Sequence, residues 1–397
     1  MSLIYLDNNA TTKVDPKVLE AMLPYFKEEY ANPSSIYEFA KRSNHAVRDA
    51  RGVIKDFFNA KDEKEITFTS CGSESANTAI RGVLNMNKNK RHIITTKVEH
   101  PCVLNLYQTL EKEGYKVDYI GVNSNGELDL AQLEEAINPD TALVSVMYAN
   151  NETGVIFPIE KISEIIKSKN PETKFYVDAV QVTGKIPIDV QALGVDLMGI
   201  SGHKFHAPKG IGALYVNSKT LITPLIIGGH QERGKRAGTE NVPYIVGMAK
   251  AAELAIDSLK YEATEIKRLR DKLEANILKN VYNARVNAGI VNRVPNTTNI
   301  GFEYIEGELI LLHLSDLGIC ASSGSACTSG SLEPSHVLRA MNVPFTAIHG
   351  SIRFSLSKFT TEKEVDYVCE KMPAIIDKLT SISPFQDELE ALKRLKQ

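Results

Sequence analysis

Lys204 stands in the stretch LMGISGHKFHAPKGIG, Leu197–Gly212, where an apolar run stops at Ser201 and His203, Lys204 and His206 crowd together before Gly210 and Gly212. An apolar run, a polar glycine-marked turn and a second apolar run, ALYV, predict two strands, with Lys204 just past the end of the first. Ligands bind at that end of an open α/β sheet. A loop lysine is ordinarily a solvated surface residue, so its amine acquires chemical meaning only if the chain supplies partners. Asp178 is one: it ends the apolar run FYV in KFYVDAVQVTG, and a carboxylate closing a buried strand is costly without a cation or a strong donor. The following strand delivers Lys204 to the same edge. The unit EITFT–SCGSES–ANTAIRGVLNM adds a strand, a tight turn and a helix. Gly72 permits close backbone approach, and Ser73 sits where a helix start offers free N–H groups and partial positive charge, a cup for phosphate. Plain capping by Ser70 or Ser73 gives the same local pattern. A lysine for a Schiff base, a carboxylate for a pyridinium nitrogen and a phosphate cup are together what pyridoxal phosphate requires. The pattern GxxxxGK[ST] is missing from this turn, which argues against a P-loop nucleotide site.

A second chemical centre lies far along the chain, in Ile319–Val337, ICASSGSACTSGSLEPSHV. Cys327 sits among Ser, Gly, Ala and Thr. A free cysteine is usually buried as a small hydrophobe, but this stretch offers no apolar cover and reads as a loop with a reactive thiol. His100 follows a strand and precedes Pro101, at the ligand-facing end of the sheet. Asn150 and Asn151 end an apolar run, and two adjacent buried amides must find partners, a bound polar ligand among the candidates. Gln181 lies three residues beyond Asp178. Thr239 heads an apolar helix after the basic stretch GGHQERGKRAG and could add a hydroxyl to a phosphate. Arg353, on the run RFS, is placed to clamp a carboxylate through two parallel hydrogen bonds.

These residues need a scaffold, and the pattern along the chain describes one. Strand-like and helix-like segments alternate from EITFT through GIGALYV, joined by short polar turns, which predicts a mainly parallel sheet with helices on both faces. Helices are expected from about Pro16 to Glu29, over about Glu38–Phe58 with a single apolar face, and, as a charged connector, over about Ser258–Asn280. The segments after the connector, TNIGFEYI, EGELILLHLSDLG, SIRFSLSKF and TEKEVDYVCEKMPAIIDKL, predict a smaller α+β unit. At 397 residues the chain exceeds one ordinary core, and the boundaries expected are a large domain over 16–258 and a small one from 1–15 with 259–397. With 46 Lys and Arg against 49 Asp and Glu, no basic excess points to nucleic acid or to an anionic membrane. MSLIYLDNNATT lacks a basic region followed by a long apolar one, and no run of about 18 apolar residues occurs, so a cytoplasmic location is expected. The five cysteines show no CxxC or zinc-like spacing, so neither a disulfide framework nor a structural metal is expected.

Taken together, YLDNNATT, NPSS, FTSCGSES, EHPCVL, ANNETG, VDAVQ, SGHKFHAPKG, GGHQERGKRAGTEN, SSGSACTSGSLEPSHV and SIRFSLSKFTTEKE resemble the cysteine desulfurases of the class-V aminotransferase family over essentially the whole chain. The extended cysteine loop resembles the NifS branch of the NifS/IscS group, while the ending QDELEALKRLKQ differs from the tail of the IscS branch. The resemblance implies the α/β fold type I of pyridoxal-phosphate-dependent transferases, with a large, mainly parallel domain and a smaller α+β C-terminal domain carrying the cysteine loop, about 320–337. It implies a homodimer that uses pyridoxal 5′-phosphate to convert L-cysteine to L-alanine and a persulfide on Cys327, for delivery to an iron–sulfur scaffold of NifU/IscU type. Residue by residue, it implies Lys204 in the Schiff base, Asp178 at the pyridine nitrogen, Gln181 and Asn151 near the phenolic oxygen, and His100 stacked on the ring and handling protons. Gly72, Ser73, Ser201 and His203 would hold the phosphate, with Thr239 from the partner subunit. Arg353 and Asn151 would receive the substrate, and any contact of Cys327 with a cluster iron would belong to the transfer step. Two other readings stay open on the residues alone: a selenocysteine lyase or other small-amino-acid enzyme in which Cys327 is incidental, and a silent dimeric binding platform. A silent member has no need of Lys204, Asp178 and Cys327, all present here.

Overall fold

A computed structural model describes residues 3–323 and 334–396. Its strands are, in order, β1 (Ile4–Tyr5), β2 (Ile66–Thr69), β3 (His92–Thr96), β4 (Lys116–Ile120), β5 (Thr141–Met147), β6 (Lys174–Asp178), β7 (Leu197–Ser201), β8 (Gly212–Val216), β9 (Ala284–Asn287), β10 (Thr297–Phe302), β11 (Ile319–Cys320), β12 (Ser322–Ser323) and β13 (Ser351–Ser355). Seven of them form the central sheet in the order β2-β8-β7-β6-β5-β3-β4. β8 runs antiparallel to both its neighbours, and the remaining pairs are parallel. The turn that carries Lys204 therefore joins antiparallel neighbours, with Ser201 opposite Gly212. β2, β3, β5, β6 and β7 all discharge their C-terminal ends at one edge.

Side chains alternate between the two faces of each strand, as the two-residue repeat demands. Phe175 and Val177 of β6, Met198 and Ile200 of β7, and Ala213 and Tyr215 of β8 enter one apolar layer. Tyr176, Leu197, Leu214 and Val216 enter the other. Each fully buried side chain of this size stabilises the fold by about 1.5–3 kcal/mol before chain entropy is counted. The helix Glu38–Phe58 lays Val47, Ala50, Ile54 and Phe57 on the first layer, and the helix Gly72–Met86 lays Ala76, Ala79, Ile80 and Val83 on the second.

Past residue 266 most of the chain builds a second apolar cluster, while Ala288, Val294, Val337, Leu338, Met341 and Ile348 join the first layer. The antiparallel sheet β12-β13-β10-β9 packs Ile300, Phe302, Ile352 and Phe354 against Leu269, Leu273 and Ile277 of the helix Lys267–Asn280 and Val365, Val368 and Met372 of the helix Glu362–Ser381. Ile4 and Leu6 join this cluster, because β1 pairs in parallel with β11.

Two helices differ from expectation. The segment 16–29 is split into Pro16–Met22 and Pro24–Lys27, since Pro24 has no N–H to continue the ladder. The charged connector is no separate helix. It continues Val242–Tyr261 through a π-helical turn, Glu262–Ile266, into Lys267–Asn280. Among the described residues, no helix is long and apolar enough to cross a membrane.

Candidate active site

The strand ends at the C-terminal edge surround a cavity of about 270 Å³. On one side, β2 gives way through Ser70 and Cys71 to the helix Gly72–Met86, whose first N–H groups have no partner within the helix. Gly72 is needed there for space: a Cβ at this position would lie 2.9 Å from Val180 Cγ2. Ser73 and His203 line the same side. Ser201 joins them with a buried hydroxyl that has no hydrogen-bond partner among the described residues. A buried hydroxyl without a partner costs about 1–3 kcal/mol. Together with the helix start, it makes this end of the cavity suited to an anion. The Glu74 carboxylate of the same first turn is tied to the Ser70 amide at 2.8 Å and to Arg236 at 2.9 Å, and the guanidinium offsets its negative charge.

Asp178 closes β6 and lines the same cavity. Its Oδ1 accepts the Val180 amide at 2.9 Å, and burial pushes the carboxyl up to about 6, opposed by that hydrogen bond and by the nearby Lys204 charge. Lys204 stands at the end of a short 3₁₀ turn, Gly202–Lys204. Its Nζ donates to the backbone carbonyls of Asn9 at 2.5 Å and Ala10 at 2.8 Å. The N-terminal segment is thus a wall of the site, fixed by Thr12, whose amide donates to the His203 carbonyl at 2.9 Å.

His100 caps the helix Pro101–Lys112, its Nδ1 accepting the Cys102 amide at 3.2 Å. A backbone N–H only donates, so the neutral ring carries its proton on Nε2. Burial first, then the charges of Lys204 and His336, lower its pKa to about 4, and His203 is lowered to about 4 by burial and Lys204. Both are neutral imidazoles near pH 7.

Gln181 and Asn151 also line the cavity. Asn150 does not: its Oδ1 accepts the amides of Glu152 and Thr153, and its Nδ2 donates to the Val98 carbonyl at 3.1 Å, so the turn itself consumes this amide. Arg353, on β13, is 4% exposed and is engaged by Asp7 at 2.7 Å and by the Asn151 carbonyl at 3.0 Å. Its Nε is buried with no partner among the described residues, and the residue borders the site through Asn151 without lining the cavity. Thr239 is exposed and lies away from the cavity of its own chain. Cys327 lies outside the described residues.

Several participants carry no signal that a local pattern can reveal. Asn9 reads as turn chemistry, yet it is a hub, donating to Thr297 Oγ1 at 2.8 Å and to the Asn151 carbonyl at 3.2 Å. Glu99 follows Lys97 and Val98 beyond the end of β3 and reads as an ordinary polar loop residue before His100. It is 1% exposed, its Oε1 accepts from Thr96 at 2.8 Å and the Met147 amide at 3.0 Å, and its Oε2 has no partner. Burial pushes this carboxyl up to about 8. Cys71 and Cys102 both line the cavity, and burial raises the Cys102 thiol far above its ordinary range, leaving it protonated and unreactive.

Comparison with known proteins places this geometry in a family. A protein of Nostoc sp. described as "Cysteine desulfurase" is 57% identical over 388 residues, which cover 98% of this chain and 96% of that protein. "Cysteine desulfurase NifS" of Azotobacter vinelandii is 50% identical over 97% of this chain and 95% of its own. A solved structure titled "NIFS-LIKE PROTEIN" superposes with a TM-score of 0.90 at 41% identity, covering 95% of this chain and all of its own. Residues 4–368 match the family described as Aminotransferase class-V, and the chain belongs to it.

Proposed function

We propose that this chain is a cysteine desulfurase, a pyridoxal-phosphate-dependent enzyme that removes sulfur from L-cysteine and leaves L-alanine and a persulfide on Cys327. The observation that carries the reading is the convergence of an amine, a buried carboxylate and an anion cup on one cavity, in a chain whose relatives bear that name.

The residues present fit the cofactor. The Ser201 hydroxyl, buried without a partner, and the helix start at Gly72–Ser73 would hold its phosphate with His203. Asp178 would face the ring nitrogen, Lys204 would bond the aldehyde carbon, and Gln181 and Asn151 would flank the phenolic oxygen. Bound there, pyridoxal phosphate supplies an electron sink for negative charge at the substrate carbons.

The chain's own groups do the rest. Asp178 is kept within reach of ionisation by its Val180 hydrogen bond and the Lys204 charge, so a protonated ring nitrogen beside it would hold it ionised. The Lys204 amine would serve as a base for the substrate Cα proton. His100, with its proton on Nε2, is a donor toward substrate. The Cys327 thiolate attacks the substrate sulfur: an S–S bond forms, the Cβ–S bond breaks, and its electron pair stays on carbon until a proton arrives. Arg353, which borders the cavity through the Asn151 carbonyl, would take the substrate carboxylate once its guanidinium turns from Asp7 toward the cavity. Thr239, exposed on its own chain, would serve a partner subunit's phosphate in a homodimer. We assign the chain to the cytoplasm, the sulfur to an iron–sulfur scaffold of NifU/IscU type, and the domain division to 16–258 against 1–15 with 259–397.

The decisive experiment is Cys327→Ala in the full chain. Sulfide release from cysteine in the presence of a thiol reductant should fall at least 100-fold, while the visible absorbance of bound cofactor and its change on adding cysteine persist. Unchanged turnover would remove Cys327 from the mechanism and favour an enzyme in which that thiol is incidental. A protein that stays colourless after incubation with pyridoxal phosphate would defeat the cofactor assignment.

A further inference from the structure

Lys204 borders two cavities. Behind the one described above lies a smaller space of about 20 Å³, lined by Lys204 together with Lys185, Glu262 and Asn296. That volume passes the roughly 10–15 Å³ needed for a single water, which further requires two to four polar partners.

Two buried groups of opposite charge type meet here, Lys185 at 6% and Glu262 at 5% exposure. Lys185 follows Gly184, whose φ of +74° and lack of a side chain bring the turn against Phe205, 2.9 Å from where a Cβ would stand. Glu262 opens the π-helical turn Glu262–Ile266; such a turn takes up an extra residue and shifts the phase of the helix face, and such turns recur at functional sites. Its Oε2 is buried with no hydrogen-bond partner among the described residues. Lys185 and Glu262 attract each other, but among the described residues no direct hydrogen bond joins them. Lys185 spends two of its three N–H groups on Gln181 Oε1 and Asn9 Oδ1, each at 3.1 Å. A third N–H and an orphan carboxylate oxygen therefore share a space of one water.

The other end of the network is the reacting amine. With Oε1 occupied by Lys185, the Gln181 amide must present Nε2 as its donor, and it donates to the Asn9 carbonyl at 3.2 Å. The same carbonyl accepts Lys204 Nζ. Other charges are accounted for. Lys185 is also faced by Lys204 and Arg353 and Glu262 by Lys358. Lys358 is paired with Asp15 at 2.6 Å, and the nearby His206 is kept neutral by burial. From the front cavity, Lys204 is faced by Asp178, His100 and His203. Burial lowers Lys185 and raises Glu262, and the charge of each opposes that effect on the other, favouring the ionised pair.

We propose that Lys185 and Glu262 are positioning residues, an ion pair bridged by one water behind Lys204, which orient the Gln181 amide and the Asn9 peptide and set the charge state of the Lys204 amine. The proposal rests on reading Lys204 as the reactive amine. It is tested without substrate or cofactor, by competitive acetylation of the cofactor-free full chain across pH, with mass-spectrometric mapping of the Lys204 peptide. Loss of a neighbouring cation in Lys185→Met should raise the labelling midpoint of Lys204 by about one pH unit, and loss of a neighbouring anion in Glu262→Gln should lower it by a similar amount. The double variant should return close to wild type, and Lys185→Arg should stay there. Midpoints that do not move, or that move in the same direction in both single variants, overturn the proposal. Should Lys185→Met fail to fold, judged by circular dichroism, Glu262→Gln alone must still lower the midpoint. Absent desulfurase activity in the wild-type protein would defeat the functional reading while leaving these shifts intact.

Discussion

Glu99→Gln replaces a buried acid by its nearest neutral analogue, and the structure predicts a stability change that depends on pH in sign and size. The Oε1 of Glu99 accepts from Thr96 and from the Met147 amide, while Oε2 is buried without a partner. Burial lifts the carboxyl from its ordinary 4.5 to about 8, so the folded chain holds a proton there that the unfolded chain has already lost. A raised carboxyl stabilises most below its unfolded value, and that contribution drains away as pH climbs toward the folded value. Wild-type stability should therefore fall between pH 4.5 and 8 by about 1.4 kcal/mol per pH unit from this group, an upper bound of about 5 kcal/mol over the window. Glutamine keeps one acceptor oxygen and cannot ionise. At pH 5 the variant should match wild type or lose about 1 kcal/mol through a poorly partnered NH₂, and by pH 8 it should be the more stable protein by about 2–4 kcal/mol. Urea unfolding of the cofactor-free chain at pH 5, 6, 7 and 8, followed by circular dichroism, reads this directly. Parallel stability curves for the two proteins would refute the claim that Glu99 is held protonated.

Other outcomes follow from the same contacts. Ser201→Ala removes a buried hydroxyl without a partner, so the cofactor-free protein should be unchanged or slightly more stable, while pyridoxal phosphate should bind about 10–100-fold more weakly through loss of one charge-assisted hydrogen bond; equilibrium dialysis and thermal unfolding separate the two effects. Arg353→Lys keeps the charge but loses the planar fork that spans Asp7 and the Asn151 carbonyl, and should raise the KM for cysteine by at least 10-fold with a smaller effect on kcat. Arg51→Met takes from buried Glu232 the guanidinium that holds it at 2.6 and 2.8 Å and leaves it the Phe68 amide at 3.0 Å; urea unfolding should show a loss of about 3 kcal/mol.

Much of the fold and part of the site were legible in the residue order. Short apolar runs bounded by polar turns encode most of β2 through β8, because strands covered on both faces bury nearly every side chain. The strand ends in turn announce Asp178, Ser73 and Lys204, since a polar side chain closing a buried strand must meet a ligand or a partner. Local pattern says nothing about contacts between distant segments. Asn9 becomes a hub by reaching Thr297, 288 positions away. Arg353 is claimed by Asp7, 346 positions away, and so reaches the site only through Asn151. The π-helical turn that brings in Glu262 interrupts a run whose spacing reads as plain helix, because the extra residue is absorbed by packing rather than by composition. The sequence by itself determined the strands, their turns and the chemical types of the amine, carboxylate and anion cup, all of which depend on neighbours within a few residues. Only the tertiary structure decided which groups share a cavity, which are already engaged, and what stands behind Lys204, because burial and charge act through space and depend on the whole chain being folded around them.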